Sequence, residues 1–199
     1  MNFTNNRTVS LKKMMAVAGL FWFFFLVFYL LAALTFHSGE QAFTNFYVWF
    51  NNSIFYPILA SLLIVTLSFH VYVAITRQFS NNVSSGDRYK KPYPKAIPRI
   101  VAWSGAAIIL IFILTHTFQM FSTNTVDLYS EIQNIFKRPI MWGIYGLGMV
   151  AISTHLHHGL TNVLQTLGIS SKQHKVLALI LVVLMMAGYA SIPLGVLYA

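Results

Sequence analysis

Five stretches of this chain contain no Asp, Glu, Lys or Arg: residues 14–36, 53–76, 100–121, 139–167 and 176–197. Each exceeds the roughly 20 residues that an α-helix needs to cross a hydrocarbon core. Lipid offers no partner to a backbone N–H or C=O, so a crossing segment must satisfy its own backbone and therefore coils into a helix. The pattern predicts an all-α integral membrane bundle of five transmembrane helices, forming one domain over residues 1–199. Only 9% of the residues are charged, whereas a soluble surface needs roughly 25%. The first run follows Lys12 and Lys13, as a signal peptide would, but it is longer than the apolar region of about 7–15 residues that such peptides carry. The absence of cysteine excludes disulfides and thiolate-held zinc or iron–sulfur clusters in this chain.

Placement of charge predicts orientation. Arg7, Lys12 and Lys13 precede the first run. Arg77, Arg88, Lys90, Lys91, Lys95 and Arg99 separate the second from the third, and Lys172 and Lys175 separate the fourth from the fifth. These cations share one side of the expected bundle, while Glu40, Asp127 and Glu131 fall on the other. By the positive-inside bias, the N-terminus and the basic loop 77–99 are cytoplasmic and the C-terminus is external. The net charge of +9 is thus topological, and nucleic acid is not an expected partner.

Between the runs, residues 37–52 form an aromatic-rich connector with the character of an interfacial segment. Residues 122–138 place Leu128, Ile132 and Ile135 at near-helical spacing and are expected on the external surface. Pro57 falls in the first turns of the second helix and Pro139 at the first position of the fourth, where a missing N–H is harmless. Gly168 suits the end of that fourth helix.

Five of the seven histidines, His70, His116, His155, His157 and His158, lie inside the apolar runs, where an imidazole is costly and points to function. His37 and His174 lie at the ends of runs and are expected to be solvated. His70 sits seven residues before Arg77, roughly 10 Å along the helix, and His155 thirteen before Gly168, roughly 20 Å. The fourth run is the longest, so an overhang of about two turns brings both imidazoles to one level near the cytoplasmic side. Gly148 and Gly159 share a stripe with His155 and leave it bare of side chains, a gap that a flat macrocycle lying against a helix needs. Isolated histidines on separate helices suit the two axial positions of a haem iron. A di-iron centre needs more ligands, including carboxylates, than these runs hold. His157 and His158 are expected to hydrogen-bond to neighbouring groups.

Six segments carry a family resemblance: "SLKKMMAVAGLF" (10–21), "GEQAFTNF" (39–46), "FHVYVAITR" (69–77), "ILTHTFQMF" (113–121), "HLHHGLTNVLQTLGIS" (155–170) and "GYASIPLGVLY" (188–198). Together they resemble the five-helix cytochrome b membrane-anchor subunit of succinate dehydrogenases and fumarate reductases, in the form where one polypeptide makes the whole anchor. The resemblance implies that His70 and His155 ligate a haem b near the cytoplasm. His116 corresponds to a ligand of a second haem nearer the outside, whose usual partner is a histidine of the first helix. Tyr29 stands at that position here, so the expectation is one firm haem, with the outer site empty, lipid-filled or atypical.

The resemblance further implies an enzyme subunit that performs no dicarboxylate chemistry itself. Its partners would be an FAD-bearing flavoprotein and an iron–sulfur subunit on the cytoplasmic face. Electrons would pass between that module and a membrane quinone, menaquinone by expectation, in a multi-pass protein of the cell inner (cytoplasmic) membrane; a higher oligomer of the complex is an open expectation. Ser10, Lys13, Arg77 and Arg99 are candidate contacts for quinone or haem propionates, and Glu40 for an outer proton route. Two other classes stay open: a b-type cytochrome of a different quinone-linked oxidoreductase, and a membrane anchor without redox function.

Overall fold

A computed structural model describes residues 3–83, 99–166, 168 and 172–198. Every regular element among them is helical. In chain order these are α1 (Phe3–Leu34), α2 (Glu40–Asn51), α3 (Phe55–Val83), α4 (Arg99–Phe121), α5 (Leu128–Phe136), α6 (Pro139–Thr166) and α7 (Lys172–Val196). Short 3-10 turns, Thr35–Ser38 and Thr125–Asp127, follow α1 and precede α5. The expected boundaries shift in consistent ways. The polar tail is already helical from Phe3, and α3 runs past Thr76 to Val83, taking up the start of the expected basic loop. The remainder of that loop, 84–98, lies outside the described residues. Pro139 opens α6 as expected, and Gly168 beyond its end has φ +88°, a left-handed conformation that glycine adopts without a Cβ penalty.

Four helices are long and apolar enough to cross a membrane: Lys13–Ser38, Phe55–Thr76, Ser104–Phe121 and Gln173–Val196. The protein is therefore read as a membrane protein. The fifth expected span, α6, has the length but not the apolarity, because its C-terminal half carries Ser153, Thr154, three histidines, Thr161, Asn162, Gln165 and Thr166. Much of that polarity is folded back on the helix itself. Ser153 and Thr154 donate to the Val150 carbonyl at 2.9 and 3.1 Å, Thr161 to His157 O and Thr166 to Asn162 O, both at 2.8 Å. A hydroxyl satisfied by its own helix is tolerated in apolar surroundings.

The bundle is organised around α1, which packs against α3, α6 and α7, while α6 also lies along α4 and α7. Trp22 donates its indole N–H to Thr66 on α3 at 3.1 Å, and Tyr189 of α7 donates to the Leu26 carbonyl of α1 at 2.6 Å. Long apolar side chains such as Phe24, Leu31, Ile64, Val65, Ile111 and Val183 face outward. An apolar exterior of this kind is what a lipid-facing bundle presents.

One end of the bundle is closed by α2 and α5, which pack on each other. Phe36, Phe43, Leu128 and Ile192 form the buried cluster beneath them, with Tyr129 stacked on Phe36 at 4.5 Å. Asn51 ties α2 to the turn before α5 through Thr125 at 2.9 Å. The 122–138 segment therefore does not lie freely on the surface: Leu128, Ile135 and Phe136 are buried, because its apolar stripe meets α2, α6 and α7. His174 also departs from expectation. It is only 6% exposed, because α7 begins at Lys172 and its first turn already packs into the bundle.

Candidate functional site

Polar side chains inside the bundle gather at two levels. The same ten-residue step separates Gly19 from Tyr29 on α1 and Tyr145 from His155 on α6, roughly 15 Å along either axis. Gly19 and His155 mark the first level together with His70 of α3. Tyr29 and Tyr145 mark the second together with His116 of α4.

At the first level the ring centroids of His70 and His155 lie 6.2 Å apart with their planes at 69°. The two rings reach each other although the extended contacts of α3 are with α1 and α2, and those of α6 with α1, α4, α5 and α7. Gly19 makes this possible. A Cβ there would stand 4.0 Å from Cε1 of His70, so the ring occupies the space beside α1 that a larger residue would fill. Nδ1 of His70 is buried without a hydrogen-bond partner. An unsatisfied buried nitrogen is costly and calls for an explanation, of which a bound group is one. His155 is exposed on the outside of this pair, and the space a Cβ would take at Gly159 is open.

Imidazoles that share one metal ion, with each nitrogen about 2.0–2.1 Å from it, set their centroids roughly 6 Å apart. The His70–His155 pair has that separation and an open flank at Gly159, and these two residues are of the kind that could hold a haem iron between them. Gly148 does not contribute to the flank. A Cβ at this position would meet the Phe112 ring at 2.5 Å, so the glycine serves close packing of α4 on α6. His158 is bonded to Asn162 of its own helix at 2.9 Å, and His157 is half-buried.

At the second level the side chains are closed on one another. Tyr29 Oη and His116 Nε2 are 2.8 Å apart, His116 Nδ1 and Tyr145 Oη 3.2 Å, and Tyr145 donates to Gln119 Oε1 at 3.0 Å. The Gln119 amide then points its nitrogen at Met141 Sδ, 3.7 Å away. Phe112 stacks on His116 with planes 12° apart and meets the Tyr145 ring edge-on. Tyr29 and His116 were expected together, and they are. Tyr145 and Gln119 went unread in the sequence. Gln119 had a signal, since it follows His116 by three residues and so shares its helix face.

The remaining candidates lie apart from both levels. Ser10 and Lys13 are exposed on α1, on the Gly19 side of the bundle. Arg77 and Arg99 belong to α3 and α4, but their side chains lie outside the described residues. Glu40 is exposed in the first turn of α2 at the closed end. His37 is exposed there too, 2.9 Å from the Ser191 hydroxyl. A shallow groove of about 420 Å³ at the same end is lined by Phe136, Lys137, Pro139, Trp142, Val196 and Leu197. Among the described residues no three or more His, Cys, Asp and Glu side chains are grouped so as to hold a metal ion. Comparison with protein-family models, curated proteins and solved structures finds no match.

Proposed function

We propose that the chain is the haem b-bearing membrane anchor of a succinate:quinone oxidoreductase, relaying electrons between a flavoprotein/iron–sulfur module and membrane quinone. The observation that carries this reading is the His70–His155 pair: two imidazoles from separate helices, 6.2 Å apart, beside an α1 glycine that makes room for one of them. The resemblance of the six sequence segments supplies the rest, including the FAD and iron–sulfur partners, menaquinone and the inner membrane.

In this reading α6 is the fifth span. Its 28 residues rise about 42 Å at 1.5 Å each, more than a bilayer core, and its hydroxyls are satisfied within the helix. The basic side chains near Lys13 and on the 77–99 loop then face the cytoplasm and the soluble module.

His70 and His155 would hold the haem iron, which when bound would supply one-electron storage between a two-electron quinone and single-electron iron–sulfur carriers. The protein's own contribution is positional. Gly19 sets how close His70 comes to α1, Phe112 against Gly148 fixes α6 on α4, and α1 holds α3 and α6 at the spacing the imidazoles require. Ser10 and Lys13, exposed at the same end, would donate hydrogen bonds to propionate or quinone oxygens.

A pyridine haemochrome assay of the purified chain tests the reading. One haem b per chain, co-purifying with a flavoprotein, is the expected result; a colourless protein that binds neither overturns it.

A further inference from the structure

We infer that Tyr29, His116, Tyr145 and Gln119 form a one-way hydrogen-bond chain that crosslinks α1, α4 and α6 inside the membrane and leaves His116 no lone pair for iron. The direction follows from the far end. A thioether sulfur accepts but does not donate, so the Gln119 amide turns its N–H₂ to Met141 Sδ and its Oε1 to Tyr145. Tyr145 has one hydroxyl proton and spends it on Oε1. Facing His116 Nδ1 it can only accept, so the proton between them sits on Nδ1. A neutral imidazole protonated on Nδ1 has its lone pair on Nε2. That lone pair receives the Tyr29 hydroxyl at 2.8 Å.

Each member thus donates to the next, from α1 through α4 to α6 and back to α4 at Gln119. Both phenol hydroxyls and the imidazole N–H are used as donors, and each bond polarises its neighbour in the same sense. Such a chain is self-sufficient in an apolar interior, where an unpaired polar group is costly. An iron shared by Tyr29 and His116 would need the two atoms roughly 4 Å apart, at about 2 Å from each. They are 2.8 Å apart, and Phe112, stacked on the imidazole and pressed against Gly148, fills the adjoining space. These residues do not fit a second haem. In its statement about iron the inference rests on the function proposed above; the chain itself does not.

The test uses the full-length chain in detergent, comparing wild type with Tyr29→Phe, His116→Gln and the double variant. Haem content, thermal midpoint and the ¹⁵N spectrum of histidine-labelled protein are read together. Haem per chain and its spectrum should be unchanged in all variants. Each single variant should lower the midpoint, and the double variant should lower it by less than the two singles added, because the Tyr29–His116 bond is lost in both singles. The signal lost in His116→Gln should be that of a neutral, Nδ1-protonated imidazole. Loss of haem in a folded His116 variant, strict additivity, or an Nε2-protonated or cationic His116 each overturns the inference. If wild type proves colourless, the haem proposal fails, while the coupling and the tautomer still decide this one.

Discussion

The imidazoles of His70 and His155 meet at 6.2 Å although α3 and α6 share no extended packing of their own and α1 packs against both. Their spacing is therefore set indirectly, by how each helix seats on a third. Changes on α1 should therefore act on the pair.

Gly19 gives the sharpest case. A Cβ at 4.0 Å from His70 is ordinary contact, so Gly19→Ala should retain haem. Gly19→Leu should push the His70 ring aside and strip most of the haem while the protein stays folded. Absorbance at the haem band, normalised to protein, checks both variants.

Ligand identity should separate by residue within the "HLHH" cluster. On the proposed reading, His70→Ala and His155→Ala should each abolish low-spin haem, since each removes one of the two imidazoles that would hold the iron. His158→Ala should keep the full complement, because its ring is already bonded to Asn162. Retention of low-spin haem in His155→Ala would move the ligand along α6.

Gly148→Leu should be destabilising, because even a Cβ would come within 2.5 Å of the Phe112 ring. Overpacking a fitted contact costs about 1–3 kcal/mol. Phe112→Ala should rescue part of that loss, and the rescue is read as non-additivity in thermal unfolding midpoints.

Tyr189→Phe removes a 2.6 Å bond to the Leu26 carbonyl between α7 and α1. A typical net cost is about 0.5–1.5 kcal/mol. The midpoint should fall by a few degrees with haem content unchanged, which distinguishes a tie between helices from a role at the site.

The uncharged runs announced long helices because charge is expelled from lipid, and Pro139 and Gly168 marked the ends of α6 through backbone constraints local to one residue. The meeting of His70 and His155 was legible for a similar reason: depth along a helix is a count from its charged end. Partners across helices were not legible. Gly148 read as space for a macrocycle, yet the space belongs to Phe112, a residue of another helix with no sequence relation to it. Tyr145 was invisible as a hydrogen-bond partner of His116 because it is one tyrosine among ten, and only antiparallel packing selects it. His174 read as solvated because the fifth run was counted from Val176, whereas α7 enters the bundle a full turn earlier.

The matching ten-residue steps on α1 and α6 make their register a doubly keyed lock. A slip of one helical turn, about 5.4 Å, would part Gly19 from His155 across the His70 ring, and Tyr29 from Tyr145 across the His116 ring, in the same movement. Neither could be regained without the other, so misthreaded arrangements of these two helices forfeit both at once.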